Sequence, residues 1–197
     1  GLGRREPAWA GGAGASLPSR DVGRPGAGRA DDLLLRLPVG VVVIDPGSSV
    51  QAGRMVMAQL RKTTTKPVTH VFNTHVHGDH WLGNQAILEA WPKAVLIAHP
   101  DMIAKAKAGE AESWVKLMSN LTQGYTDGTR AEIPTRATTD GMVSKHGSRS
   151  FRIYSSNDAH SKTDIMIEVD NGVLFTGDNV LNQRVARMDD GTFSGNI

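Results

Sequence analysis

The stretch His75-Val76-His77-Gly78-Asp79-His80 puts three imidazoles and a carboxylate into six consecutive residues. Imidazole and carboxylate suit zinc, iron or manganese, and catalytic zinc sites keep a coordination position open for water or substrate. The bland alternative is a polar loop that happens to be rich in histidine, and the flanking pattern argues against it. Val68 to Thr74, directly upstream, predicts a strand that delivers the cluster at its end. Leaving that strand, His75 and His77 are two apart in extended chain, so they point to the same side and can grip one metal. Gly78 is expected to let the backbone turn sharply. Asp79 and His80 then project from the next turn and can hold a second metal beside the first.

The pattern extends outward in both directions. Upstream, Val39 to Ile44 is a continuous apolar run closed by Asp45-Pro46-Gly47, which predicts a buried strand ended by a turn. Ser48 or Ser49 can cap a helix carrying Val50, Met55, Val56 and Leu60, with Met55 rather than Met57 on its apolar face. Downstream, Gly83 to Trp91 predicts a short helix, Ala94 to Ala98 a third strand, and Asp101 to about Leu121 a long helix interrupted near Gly109. A polar stretch, Thr126 to Gly141, precedes strands at Ser150–Ser155, Asp164–Val169 and Val173–Thr176. Asp170-Asn171-Gly172 joins the last two as a hairpin turn, because Asn and Gly tolerate positive φ. Strands alternating with helices, then a meander, indicate an α/β layered domain.

Composition narrows the partners. The pI of 9.1 suggests nucleic acid, but residues 1–30 hold five Arg against Glu6 and Asp21, whereas the rest has 17 Lys and Arg against 18 Asp and Glu. The body is nearly neutral, so no nucleic-acid groove is expected. No apolar run approaches the roughly 18 residues that would span a bilayer, so no membrane partner is expected. Residues 1–30, dense in Gly, Ala, Arg and Pro, read as disordered or irregular, leaving 31–197 as the domain. Cysteine is absent, which excludes thiolate ligands and is compatible with a cytoplasmic or a periplasmic location.

Thr74-His75-Val76-His77-Gly78-Asp79-His80 resembles the His-x-His-x-Asp-His signature of the metallo-β-lactamase fold superfamily. Asp158-Ala159-His160-Ser161 resembles the loop that supplies the third histidine of that family's first metal site. Leu174-Phe175-Thr176-Gly177-Asp178 resembles the strand end that supplies a carboxylate shared by both metals. Asp45 matches an early aspartate that supports the metal loop. The resemblance implies an αββα sandwich with His75, His77 and His160 on the first metal, and Asp79, His80 and Asp178 on the second. It further implies a hydrolase, taken to be bacterial, in which two Zn2+ ions (iron or manganese being possible) and a metal-bound hydroxide act on an ester, thioester, lactone or phosphoester bond of a small-molecule substrate. Asp79 would orient the nucleophile or accept its proton. The family supplies a further histidine from beyond the position of Asp178, and none follows His160 here; the chain is therefore expected to be truncated at both ends. Alternatives are a mononuclear-iron oxidoreductase like the persulfide dioxygenases, using His75, His160 and Asp178, and an inactive metal-binding fragment.

Other residues receive plainer assignments. His99 is expected to be structural, and His70 and His146 to be surface or strand-edge residues. Trp81 is divided between the core and a substrate groove. Asp164 is divided between accepting from a ligand imidazole and holding a hairpin edge.

Overall fold

Val41 to Ile44 carry nothing polar to leave in water, and both faces of their strand are buried. The computed structural model describes residues 34–37, 40–156, 158–170, 172–183, 187 and 190–196. The reading of residues 1–30 therefore lies outside the described residues. One sheet contains, in spatial order, β1 (Leu34–Leu37), β2 (Gly40–Ile44), β3 (Val68–Phe72), β4 (Val95–Ala98) and β5 (Arg136–Ala137). β1 pairs antiparallel with β2, Leu34 opposite Val43, while β2 to β5 run parallel. A second, antiparallel sheet contains β6 (Val143–His146), β7 (Arg149–Ser156), β8 (Asp164–Val169) and β9 (Val173–Phe175).

Period-two alternation joins the two sheets. Val42, Ile44, Phe72 and Ile97 face inward and pack on Phe151, Ile153, Ile165, Ile167 and Val169. The intervening Val41, Val43, Val71 and Leu96 face outward, under α1 (Val50–Thr63) and α3 (Asn84–Ala90). Parallel neighbours require such crossovers. Ser49 caps α1, its hydroxyl accepting from the Ala52 amide at 3.1 Å. The buried positions of α1 are Val50, Gly53, Met57 and Leu60, spaced three or four apart. This reverses the expectation for its methionines: Met55 is 68% exposed and Met57 is in the core.

The short helix expected at Gly83 to Trp91 is present as α3, and a further one-turn helix that was not expected, α2 (Gly78–Trp81), lies within the cluster itself. The long helix is interrupted where expected: α4 (Pro100–Lys105) joins α5 (Ala111–Leu121) through a π turn in which Gly109 adopts φ 113°. Three strands went unread. β1 precedes Val39, β5 lies inside the polar stretch, and β6 precedes the first predicted strand of the meander. For His146 the strand-edge expectation holds but a surface position does not, and His70 is at neither a strand end nor a fully exposed position. His70 sits mid-strand in β3 on the same face as Phe72. His146, although on the edge strand β6, is buried, with its ring 3.9 Å from that of His70.

Candidate metal centre

The parallel strands β2 and β3 end together, and Asp45 closes both. At φ 50° it turns the chain, a conformation Asp adopts more readily than bulkier residues. Its Oδ1 accepts the Thr74 amide at 2.9 Å, and its Oδ2 accepts the Thr74 hydroxyl at 2.6 Å and His80 Nδ1 at 2.9 Å. The loop after β3 is tied to the second sheet by Ile165 N donating to Thr74 O at 2.8 Å and Val76 N donating to Thr163 Oγ1 at 3.0 Å. Gly78 departs from its expected role. It begins α2 and is held there by a close approach, since a Cβ would stand 2.7 Å from the Cβ of Trp114 on α5. Trp81 is fully buried and donates its indole N–H to Val76 O at 2.8 Å, which assigns it to the core.

Three imidazoles converge by their nitrogens. His77 Nδ1 lies 3.1 Å from His75 Nε2 and 2.9 Å from His160 Nε2. The outward nitrogens decide the tautomers. The Thr74 hydroxyl gives its proton to Asp45, so its oxygen accepts from His75 Nδ1 at 3.0 Å. His77 Nε2 donates to Asp190 Oδ2 at 2.8 Å. Neutral rings held this way leave lone pairs at His75 Nε2 and His77 Nδ1, facing each other. Burial lowers the pKa of His75 well below its usual value, reinforced by His80, His77 and His160; burial also lowers that of His77, against the pull of Asp190. Facing lone pairs on buried, neutral imidazoles are a donor set that a cation satisfies.

A second group shares His75. His80 Nε2 lies 3.5 Å from Asp178 Oδ1, and donor atoms of His75, His80 and Asp178 all lie within 4.8 Å of one another. Burial would lower the His80 pKa, yet hydrogen bonds to Asp178 and Asp45, with the charges of Asp45 and Asp79, carry it well above the usual value. His80 in turn pulls the Asp178 carboxyl down. Positive charge is thus favoured at this point. Asp79 stands at the rim, 3.7 Å from His80 Nε2 and outside the mutually close set. Asp178 reaches both groups, its Oδ2 lying 3.7 Å from His160 Nε2.

All six residues assigned from the sequence come to one edge of the sandwich. Asp164 does not meet the ligand imidazole. Its oxygens accept from the Ser161 amide and hydroxyl, both at 2.7 Å, while His160 Nδ1 is buried without a partner among the described residues. His99 is structural, its Nδ1 accepting from the Asp101 amide at the start of α4. Sequence reasoning missed two neighbours. Trp114 packs its ring 5.1 Å from that of His77, and Asp190 reaches His77 from 113 positions away. Spacing gives no signal for contacts that depend on the tertiary fold. Beside them a cleft of about 190 Å³ is lined by Val76, Trp114, Leu117, Lys105, Ser113 and Asp190, among others.

A family model described as the metallo-beta-lactamase superfamily matches residues 26–196. A linear primary-alkylsulfatase of Pseudomonas sp. (strain ATCC 19151) is 36% identical over 55 residues, 28% of this chain and 10% of that protein. The BLEG-1 B3 metallo-beta-lactamase shares the fold with a TM-score of 0.62 and 22% identity, over 83% of this chain and 74% of that one. A mutant metallo-beta-lactamase from Cronobacter sakazakii gives 0.55 and 19%, over 72% of this chain and 54% of that one. The chain thus spans a tenth of the alkylsulfatase and about half of the Cronobacter protein.

Proposed function

The chain belongs to the metallo-beta-lactamase superfamily, and on that premise we propose that it is a di-zinc hydrolase of small-molecule esters. His75, His77 and His160 would hold one ion. His80, Asp178 and Asp79 would hold the other, with Asp178 shared. The observation that carries this reading is the approach of His77 Nδ1 to His75 Nε2 at 3.1 Å and to His160 Nε2 at 2.9 Å, with the His75 and His77 rings turned by outer partners so that lone pairs face inward. Bound there, divalent cations supply Lewis acidity and an activated water at neutral pH.

The chain's own residues supply the rest. Asp79, whose side chain is 38% exposed beside His80, would take a proton from the attacking water. Asp45 holds His80 by its Nδ1, leaving Nε2 toward Asp178. Val76, Trp114 and Leu117 offer an apolar wall to the non-reacting part of a substrate, with Lys105 and Ser113 beside it. Carboxylic, thio-, lactone and phosphoesters remain the substrate classes to test. The alkylsulfatase relative adds sulfate esters.

The test is metal content followed by turnover of that panel before and after chelation. About two zinc per chain, with hydrolysis lost on chelation and restored by zinc, is the expected result. A chain that binds no metal and hydrolyses nothing refutes it. One iron per chain with oxygen consumption would favour the dioxygenase reading, for which the 3.7 Å approach of His160 to Asp178 is the supporting observation.

A further inference from the structure

Asp190 touches the histidine cluster from outside every motif assigned above. We propose that Asp190, Gly191 and Thr192 form a clasp that positions His77 and the His160 loop for metal binding, with Asp190 as the positioning residue. This rests on the metal-site reading.

Two contacts made by neighbouring residues carry it. Asp190 Oδ2 lies 2.8 Å from His77 Nε2. An imidazole has two neutral tautomers, and only one of them puts the lone pair on the Nδ1 that meets His75 and His160. A carboxylate at Nε2 selects that tautomer and fixes the ring plane, as outer partners of ligating histidines do. Thr192 ties the same segment to the other loop. Its amide donates to Asp158 O at 2.9 Å and Ala159 O at 3.0 Å, and its hydroxyl donates to Asp158 O at 2.7 Å. Gly195 N returns to Thr192 Oγ1 at 3.0 Å. Gly191 lies so close to the Ala159 carbonyl that any Cβ would overlap it, so the segment can seat only with glycine there. Ala159 is bonded to His160. Three consecutive residues therefore touch the His77 imidazole and the backbone of the loop that carries His160, which β3 and the β7–β8 connection deliver separately.

The experiment measures zinc affinity of the full chain by chelator competition, together with the visible spectrum of the cobalt-substituted protein. Asp190→Ala is expected to weaken the first ion by about 10–100-fold and to change the cobalt spectrum, while the zinc-free protein keeps its wild-type melting temperature. Asp190→Asn, whose side-chain oxygen can accept the same hydrogen bond, should recover most of the affinity. Thr192→Val, which leaves Asp190 in place, should weaken binding several-fold, and it carries the test should Asp190→Ala not fold. Unchanged affinity and spectrum in Asp190→Ala, or in Thr192→Val where that variant carries the test, overturn the clasp. So does an Asp190→Asn variant as impaired as alanine. A wild type that binds no zinc overturns the site reading and the clasp with it. Wild-type binding that His77→Ala abolishes and Asp190→Ala spares overturns the clasp alone.

Discussion

Strand β3 carries histidines at two places, and their surroundings differ in kind. Within the strand, His70 meets His146 ring against ring at 3.9 Å, with Phe72 and Phe151 edge-on to His146. Their polar contacts are to hydroxyls, His70 Nδ1 to Thr69 Oγ1 at 3.1 Å and His146 Nε2 to Ser144 Oγ at 2.8 Å. Burial lowers the His70 pKa to about 4, aided by His146 and Arg136, charges of its own sign. Just past the strand, His77 meets His75 and His160 by nitrogens, with Asp45, Asp79, Asp178 and Asp190 around the group. Burying histidines makes an aromatic plug at one end. Turning their lone pairs inward and supplying carboxylates makes a cation site at the other.

Substitution should separate the two ends. His77→Ala is expected to reduce zinc affinity by two orders of magnitude or more and to abolish hydrolysis, since a ligand is lost outright. His70→Gln should leave zinc content unchanged, and a comparable loss there would erase the distinction. Asp45→Asn should be milder, because its one amide oxygen can still accept from the Thr74 hydroxyl and His80, although the charge and the acceptor for the Thr74 amide are lost. Affinity for the second ion falls about 10-fold, measurable as zinc released in a chelator titration.

The smallest expected effect concerns pH. The unfolded histidine titrates near 6.5 and the folded His70 near about 4, so the unfolded chain binds the proton more tightly. The stability tied to that difference is intact above about 6.5 and is lost as pH falls toward about 4. After allowance for the half-exposed ring it amounts to about 1–2 kcal/mol. Urea unfolding at pH 7 and pH 4.5 should show wild type losing more than His70→Gln by this amount. Equal losses would remove His70 as the source.

How far the sequence could be read depends on range. The edge cluster was legible because metal chemistry needs particular donors, and His75, His77, Asp79 and His80 fall within six consecutive residues. His160 and Asp178 became candidates through family resemblance, the first by a loop motif and the second by a strand-end motif. The sheet-forming runs at 39–44, 68–74 and 164–169 announced themselves by unbroken or alternating apolar residues. β5 did not, because Arg136 and Ala137 are both exposed and pair only by backbone with Ile97 and Ala98. Met55 and Met57 differ by two positions on a helix, and two apolar candidates 200° apart cannot be ranked without the strands beneath. Gly78 and Asp190 were beyond reach for a common reason: each answers to a residue far along the chain, Trp114 in one case and His77 in the other.

Exposure rises steadily across the centre. The His160 side chain is 3% exposed, His77 10%, His80 18%, Asp178 27% and Asp190 56%. Imidazoles form the floor, and Asp178 and Asp190 the doorway. A cation arriving from water meets negative charge before it meets nitrogen, so its capture begins as long-range attraction and ends as ligation. On the two-ion reading, an anionic substrate arriving by the same doorway would be repelled until cations are in place, and the order of burial would set an order of events, ions first and substrate second.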